Sequence, residues 1–383
     1  MSVQTIVIIG GGYAGFAVAQ KLANKFNKSQ TQIILIERKS HFYHSVAGLR
    51  TIVEDGFEKK VAIPYDHLFD KHGDGKLIHG TVTKLNKNDL IVRKNDGEEQ
   101  NITFDIAVIA TGSNYPRPAK FDAENKEEGI KEIIRQREAV KGAQKILIIG
   151  GGPVGIELAG EIASVYENEK EVTLVHGEEN LLSSKFPHKL RNSLANQLKN
   201  LNVKLILGDK VDFQKNNIGD GLSKLTITTE KGQVIESDVQ FVAIGAKPNT
   251  SLVESLDSSL IDENSHLVKV KPTFQLDLND EYNHIFAIGD ITNIPETKLA
   301  FRAGLHADLV SKNISSFIDN KKLEEYKPMK ESIFVTVGKK GGAGLLPMFG
   351  GLVVGSMMVR NLKGKTLFVD KYWKDINGTS SRQ

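Results

Sequence analysis

The sequence predicts an α/β fold: two parallel-sheet βαβ domains, the first interrupted by the second, followed by a small C-terminal α+β domain. Three observations carry this expectation. A strand, glycine loop and helix pattern occurs twice, about 140 residues apart: Ile6-Val7-Ile8-Ile9 runs into Gly10-Gly11-Gly12-Tyr13-Ala14-Gly15, and Ile146-Leu147-Ile148-Ile149 runs into Gly150-Gly151-Gly152-Pro153-Val154-Gly155. Each loop is followed by a further apolar strand, which makes both units Rossmann-like. A late strand, Ile285 to Asp290, ends in Gly-Asp and belongs with the first unit, so the chain must return to it.

Each glycine of the first loop has its own task. Gly10 permits the tight turn after the strand, Gly12 lets the backbone approach a diphosphate, and Gly15 allows the helix to pack closely on the sheet. The spacing predicts a helix over Ala14–Ala23 that aims its positive N-terminal end at the phosphates. The next apolar strand, Gln32–Ile36, ends at Glu37, 22 residues beyond Gly15, where a carboxylate can accept hydrogen bonds from an adenosine ribose. Two later segments point to a flavin here. Phe104–Gly112 reads as a buried strand ending in Ala110-Thr111-Gly112, and Ile285–Asp290 as another ending in Gly289-Asp290. The Asp290 carboxylate can bind ribitol or pyrophosphate oxygens. A helix starting near Leu299-Ala300 would offer backbone N–H groups to a flavin carbonyl.

The second loop repeats the pattern with Gly150, Gly152 and Gly155, and its helix continues through Ile156-Glu157-Leu158. The strand Glu171–Val175 ends at His176, 21 residues after Gly155. An acid there would favour NAD and an arginine NADP. With neither present, the site reads as one for NADH or NADPH, and Glu178 and Glu179 tilt it towards NADH. Glu157 sits one turn into the helix, close to where a nicotinamide ring would stack. Phe241–Asn249 reads as the loop that closes this unit and meets the first.

At 383 residues the chain exceeds one ordinary core. The expected division is a FAD-binding domain of 1–111 and 247–325, an NAD(P)H-binding domain of 112–246, and a C-terminal cap of 326–383. The turn-rich Asn114-Tyr115-Pro116-Arg117-Pro118 leads into the inserted domain, and Asp122–Arg137 reads as a solvated linker and helix. In the cap, Ser332–Val337 reads as a strand, Lys339–Gly344 as a turn, Leu352–Gly355 as a strand, and Phe368-Val369 as the start of an amphipathic stretch. Lys363, Lys365, Phe368, Lys371, Tyr372, Trp373 and Lys374 interleave basic and aromatic side chains, a pattern that fits a membrane surface.

Composition removes several classes of function. A net charge of +3 leaves no broad basic footprint, so nucleic acid is not an expected partner. There is no cysteine, which excludes thiolate nucleophiles, iron–sulfur clusters and the Cys-x-x-Cys of disulfide reductases. The ten histidines show no ligand spacing with carboxylates, so no metal site is expected. The first strand begins within a few residues of Met1, so no signal peptide is expected. Leu345–Val359, the longest apolar run, is too short and glycine-rich to span a bilayer.

Several segments together resemble one family. They are His41-Phe42-Tyr43-His44-Ser45-Val46-Ala47-Gly48-Leu49-Arg50, Gly56-Phe57-Glu58-Lys59-Lys60, Ala110-Thr111-Gly112-Ser113, Gly150 to Glu161, Ala287-Ile288-Gly289-Asp290, Ala303-Gly304-Leu305-His306-Ala307, and Leu367-Phe368-Val369 with Trp373-Lys374. Over nearly its whole length the chain resembles the flavoprotein NAD(P)H:quinone oxidoreductases of the ferroptosis-suppressor type, relatives of type II NADH dehydrogenases. The resemblance implies FAD at the first loop, NADH or NADPH at the second, ubiquinone or a related quinone as acceptor, and a lipid antioxidant role. It implies a FAD site of Gly10, Gly12, Tyr13, Ala14, Gly15, Glu37, Arg38, Arg50, Val82, Ala110, Thr111, Gly112, Asp290, Lys298, Leu299 and Ala300. The NAD(P)H site would use Gly150, Gly152, Pro153, Val154, Gly155, Glu157, His176 and Gly245. Glu157, Lys363, Phe368 and His44 are the catalytic candidates. Animal members of the family commonly carry an N-terminal glycine for myristoylation; Ser2 departs from that pattern. Membrane contact would then rest on the cap.

The expected chemistry is hydride transfer from nicotinamide to flavin, then two electrons and protons to a quinone. Lys363 would place positive charge near the flavin. His41 and His44 would line the isoalloxazine or shuttle protons. Two alternatives stay open: a flavin reductase feeding a ferredoxin-like partner, and an NADH-sensing, death-signalling flavoprotein. The expected location is cytoplasmic, peripheral to the mitochondrial outer membrane, a lipid droplet or the plasma membrane. A homodimer is left open.

Overall fold

The computed structural model describes residues 3–71 and 73–381. The chain opens with β1 (Gln4–Ile9), α1 (Tyr13–Lys25) and β2 (Thr31–Glu37), followed by β3 (Gly75–Leu85), β4 (Asp89–Lys94), β5 (Glu99–Thr103) and β6 (Ile106–Ile109). β1 runs parallel to both β2 and β6, with Ile6 opposite Ile33 and Ile106. These strands are runs of Ile, Val and Leu because both faces are covered; Ile6, Ile8, Leu35, Ile106 and Val108 are all buried. β3 starts parallel to β2 and then pairs antiparallel with β4 beyond it, so one long strand turns a parallel core into a solvated meander.

The second unit follows. Asn125 caps α2 (Lys126–Gly142) by accepting hydrogen bonds from Glu127 N and Glu128 N. Then come β7 (Lys145–Ile149), α3 (Pro153–Tyr166), β8 (Glu171–His176), α4 (His188–Asn200), β9 (Lys204–Leu207) and β10 (Val239–Val242). Its parallel sheet has the order β9-β8-β7-β10. Between the units, the outgoing Ser113–Asn114 pairs antiparallel with the returning Lys247–Pro248. After the return, β11 (Ile285–Ala287) docks beside β6 at the edge of the first sheet, whose order is β11-β6-β1-β2-β3-β4-β5. A 3-10 turn over Gly289–Ile291 follows, and α5 (Ala300–Ile318) packs against α1.

The last segment forms β12 (Ile333–Val337), β13 (Gly341–Leu346) and β14 (Leu352–Val354), then α6 (Val369–Asn377). The glycine-rich stretch expected as a turn at Lys339–Gly344 is mostly strand. Gly342 stands at φ 137, and a Cβ there would lie 2.5 Å from Val335 O, so glycine serves close strand packing here rather than reversal of the chain. Likewise the strand expected over Phe104–Gly112 is only Ile106–Ile109, with Gly112 beyond it in the left-handed region (φ 68).

This cap binds both units. β12 packs on α3 across Gly160, where a Cβ would sit 2.7 Å from Val337 Cα. α6 packs on the first unit: Ile376 joins that core, and Trp373 donates its indole N–H to Lys60 O at 2.8 Å. Arg50 joins all three parts. Its Nη2 donates to Glu161 Oε1 on α3 at 2.8 Å and to Gly364 O of the cap at 2.9 Å, while Nε reaches Glu161 Oε1 at 3.1 Å. Both side chains of this pair are almost fully buried, at 2% and 3% exposed.

Arg50→Met leaves Glu161 charged and unpaired in the interior. It should lower unfolding free energy by about 3–5 kcal/mol in urea titrations. A midpoint unchanged from wild type would show that the three parts do not depend on this junction.

Candidate functional site

The carboxyl ends of β1, β2, β6 and β11 open into a cleft of about 790 Å³ that also reaches the start of α3 and the cap. That is the crevice position in which open α/β sheets bind ligands. Its walls include Gly10, Gly12, Tyr13 and Ala14 from the first loop; Glu37 and Arg38 after β2; Val82; Ala110, Thr111 and Gly112 after β6; and Asp290, Lys298, Leu299 and Ala300. From the other side come Pro153, Val154 and Glu157 of α3, with Ile333, Phe334 and Lys363 of the cap.

The two glycine loops obey the same steric rules. Gly10 and Gly150 have φ of 99 and 124, and a Cβ on either would strike a carbonyl oxygen, of Ala110 at 2.6 Å and of Ala243 at 2.5 Å. A Cβ on Gly15 would lie 1.7 Å from Gly10 O, and one on Gly155 would lie 1.9 Å from Gly150 O. Gly12 and Gly152 meet nothing within 4 Å, leaving an open backbone cradle before each helix. No side chain caps either helix start, so the first-turn N–H groups and the dipole are left for an anion. This cradle fits a diphosphate.

Around the first loop, Glu37 accepts from Gly11 N at 2.5 Å and from Lys39 N at 2.9 Å, and Tyr65 O–H donates to Gly11 O at 2.7 Å. At the second loop His176 takes the same post, its Nδ1 accepting from Gly151 N at 3.1 Å. Asp290 accepts from Ser113 O–H at 2.6 Å, and the Lys120 ammonium donates to Ser113 O. Lys298 donates to Thr292 O at 2.7 Å. Burial lowers the pKa of both lysines, against the pull of Asp290, and it brings Lys39 down to about 8. Lys39 and Lys120 are not among the sequence candidates: Lys39 directly follows Glu37 and Arg38 but no motif marks it, and only folding carries Lys120, on the 113–122 loop, over the cleft.

Glu157 lies where α3 meets the cap. Its Oε1 accepts from Lys363 Nζ at 2.6 Å, from Thr336 N at 3.0 Å and from Thr336 O–H at 3.2 Å. Lys363 also donates to Phe334 O at 3.0 Å. The two catalytic candidates, about 200 residues apart in sequence, therefore form one ion pair on the cleft wall.

Other candidates stand elsewhere. His44 is fully buried behind Tyr13, with Nδ1 receiving the Tyr13 O–H at 2.8 Å and Nε2–H donating to Leu367 O at 2.7 Å. Both ring nitrogens are engaged, so it braces Tyr13 rather than facing the cleft; His41 does line the wall. Arg50 is a structural ion pair, drawn away from the cleft by Glu161. Phe368 lies outside the cleft wall, half-exposed and in the left-handed region (φ 61) just before α6. Gly245 (φ 51) precedes Ala246, which does line the cleft. Gly15, Gly150, Gly152, Gly155 and His176 hold the loops in shape behind or beside that wall.

A family model described as pyridine nucleotide-disulphide oxidoreductase matches residues 4–304. Apoptosis-inducing factor homolog B of Dictyostelium discoideum is 35% identical over 393 aligned residues, spanning 97% of this chain and 96% of that protein. Ferroptosis suppressor protein 1 of Xenopus laevis is 31% identical, spanning 98% of this chain and 97% of that protein. The solved sulfide:quinone oxidoreductase of Aquifex aeolicus has a similar fold, with a TM-score of 0.76 at 18% identity over 98% of this chain and 92% of that one.

Burial pushes both His41 and His44 down to about 4. A ring held neutral in the folded state stabilises it above the unfolded pKa of about 6.5, and that contribution is lost as pH falls towards 4. For the fully buried His44 the loss should approach about 3 kcal/mol. His44→Gln should flatten the pH dependence of chemical unfolding between about 6.5 and 4 by close to one proton; an unchanged slope would remove the ring from this role.

Proposed function

The chain belongs to the pyridine nucleotide-disulphide oxidoreductase family, and from that premise we propose that it is an NAD(P)H:quinone oxidoreductase. It is a flavin-dependent pyridine nucleotide oxidoreductase that binds FAD and uses NAD(P)H. In the proposed arrangement FAD occupies the first loop and the nicotinamide cofactor the second. The observation that carries the acceptor assignment is a cleft lined by the first loop and by the start of α3, in a chain without a single cysteine. A disulfide acceptor would need a thiol pair to relay its electrons. A quinone takes two electrons and protons directly and needs only a ring-sized apolar site. The walls at Ile333, Phe334, Leu49 and Val46 supply such surface. The likeness to ferroptosis suppressor protein 1 supports the same reading.

When bound, the flavin supplies hydride acceptance from nicotinamide and electron delivery to the quinone. The protein supplies geometry and charge. The two uncapped helix starts hold the diphosphates. Thr336 fixes Glu157, and Glu157 fixes the Lys363 ammonium, so a cation is held at the wall without its side chain having to be ordered during reaction. Tyr13, locked by His44 and by Val46 N at 3.2 Å, keeps the loop side of the cleft rigid.

The cap also supports a peripheral membrane contact, through part of the set the sequence pointed to (Lys365, Phe368, Lys371 and Lys374 are exposed) and through further exposed apolar side chains. Tyr372 and Trp373 turn inward onto the core, and Lys363 turns into the cleft. The exposed apolar side chains of the cap are Met348, Phe349 (91% exposed), Leu352, Met357, Met358, Leu362 and Phe368, and Lys340, Arg360 and Lys365 are exposed as well. Exposed apolar side chains accompanied by exposed cations in one small domain suit an anionic lipid surface, where a lipid-soluble quinone would be met. No helix among the described residues is long and apolar enough to cross a membrane.

Purified protein should oxidise NADH or NADPH in proportion to added short-chain ubiquinone. Lys363→Met should lower that rate about tenfold or more while FAD stays bound. Absence of quinone-dependent oxidation would overturn the acceptor assignment.

Phe349→Glu with Met357→Glu should weaken co-sedimentation with anionic phospholipid vesicles by about tenfold or more. Full retention on vesicles would move the membrane contact away from these side chains.

A further inference from the structure

The segment Ala303-Gly304-Leu305-His306-Ala307 lies on α5, and apart from Ala303 it takes no part in the cleft wall. Its histidine is buried, yet both ring nitrogens are engaged. His306 Nδ1 accepts from Gly289 N at 3.1 Å, and Nε2–H donates to Glu296 Oε1 at 2.9 Å. The Gly289 donor decides the tautomer, since an amide N–H can face only a lone pair. The other oxygen of Glu296 receives the Tyr326 O–H at 3.0 Å and Met329 N–H at 3.4 Å. Phe274 lies against one side of the imidazole, 4.4 Å between centroids, and Tyr326 meets it edge-on at 4.9 Å. Gly289 (φ 79) immediately precedes Asp290, whose carboxylate faces the cleft and is held from the far side by Ser113.

We infer that His306 and Glu296 are a positioning dyad that acts through Gly289 N–H to hold Asp290 in its cofactor-facing pose. The inference rests on the flavin occupying the first loop and is independent of the electron acceptor. His306 is not itself part of the cleft wall; it meets that wall at Gly289 N–H, so its hydrogen bond acts on the flavin site through the Gly289–Asp290 turn. The contact is also conditional. A second ring proton would sit on Nδ1 and oppose the Gly289 N–H, placing two donors face to face, and the turn would have to rotate away with Asp290.

The groups around the ring set when that happens. Glu296 precedes α5, Tyr326 belongs to the extended segment after it, Lys298 and Asp290 lie next in range, and Arg302 sits 3.8 Å from Glu296. Burial is the largest influence and pushes the imidazole below the usual histidine range, with Glu296 and Asp290 opposing and Lys298 adding to it. The contact with Gly289 is therefore complete at neutral pH and is lost as pH falls.

The test is retention of FAD by the loaded full chain, read as flavin fluorescence in the filtrate after ultrafiltration across a pH series. Wild type should lose affinity at least about tenfold as pH falls from about 8 through the ring's titration, below the usual histidine value of about 6.5. His306→Asn keeps an oxygen that can accept from Gly289 but does not titrate, and should stay within about threefold over the same range. Glu296→Gln removes the charge that favours the imidazolium, and should move the midpoint of loss down by at least about half a pH unit. His306→Asn titrating like wild type, or an unmoved midpoint in Glu296→Gln, overturns the dyad. Should His306→Asn fail to load flavin, the Glu296→Gln midpoint and the ring ¹⁵N shifts of wild type decide. An Nδ1-protonated ring at neutral pH overturns the inference. A wild-type chain that retains FAD at no pH removes the flavin assignment itself, whereas a chain inert towards quinones leaves these readings unchanged.

Discussion

A single buried guanidinium holds the architecture in register. Arg50 comes from a 3-10 turn (Leu49–Ile52) between β2 and β3, Glu161 from the helix of the inserted unit, and Gly364 from the cap, and the Arg50 fork reaches both partners. Charges so deeply buried are tolerated only when each finds its partner. The three parts must therefore meet in one arrangement, and that arrangement turns the starts of α1 and α3 towards one cleft. Glu157 lies one helical turn before Glu161 on the same helix, so the junction that fixes α3 also fixes the carboxylate that grips Lys363.

The cleft is then made by what is missing from the backbone. At Gly15 and Gly155 a carbonyl oxygen occupies the place of a side chain, which brings each helix axis close to its strand. At Gly12 and Gly152 the space is open, which leaves N–H groups exposed to a diphosphate. These two glycines thus perform opposite tasks in each loop, one closing a contact and the other opening space.

Three histidines share a common use. His44, His176 and His306 each offer Nδ1 to a neighbouring donor: a phenol, Gly151 N and Gly289 N. Burial lowers the pKa of all three, which keeps the ring an acceptor at neutral pH. These three rings serve as conformational clamps near cofactor loops, whereas His41 alone of the two sequence candidates stands on the cleft wall. A reading from residue type alone favours a proton carrier, because an intrinsic pKa near neutrality is visible in sequence and a tautomer locked by a distant amide is not.

What the sequence determined by itself was whatever depends on local spacing. Both glycine loops, their strands, the acid at Glu37 and the Gly289-Asp290 turn follow from patterns of a few residues, and all of them lie where those patterns place them. The pairing of Glu157 with Lys363, the withdrawal of Arg50 into Glu161, and the inward turn of Tyr372 and Trp373 were decided by tertiary structure. In each case the deciding partner lies a hundred or more residues away. Spacing along a chain encodes which backbone shapes are sterically allowed; which charge or ring faces which is settled only when distant segments compete for the same buried space.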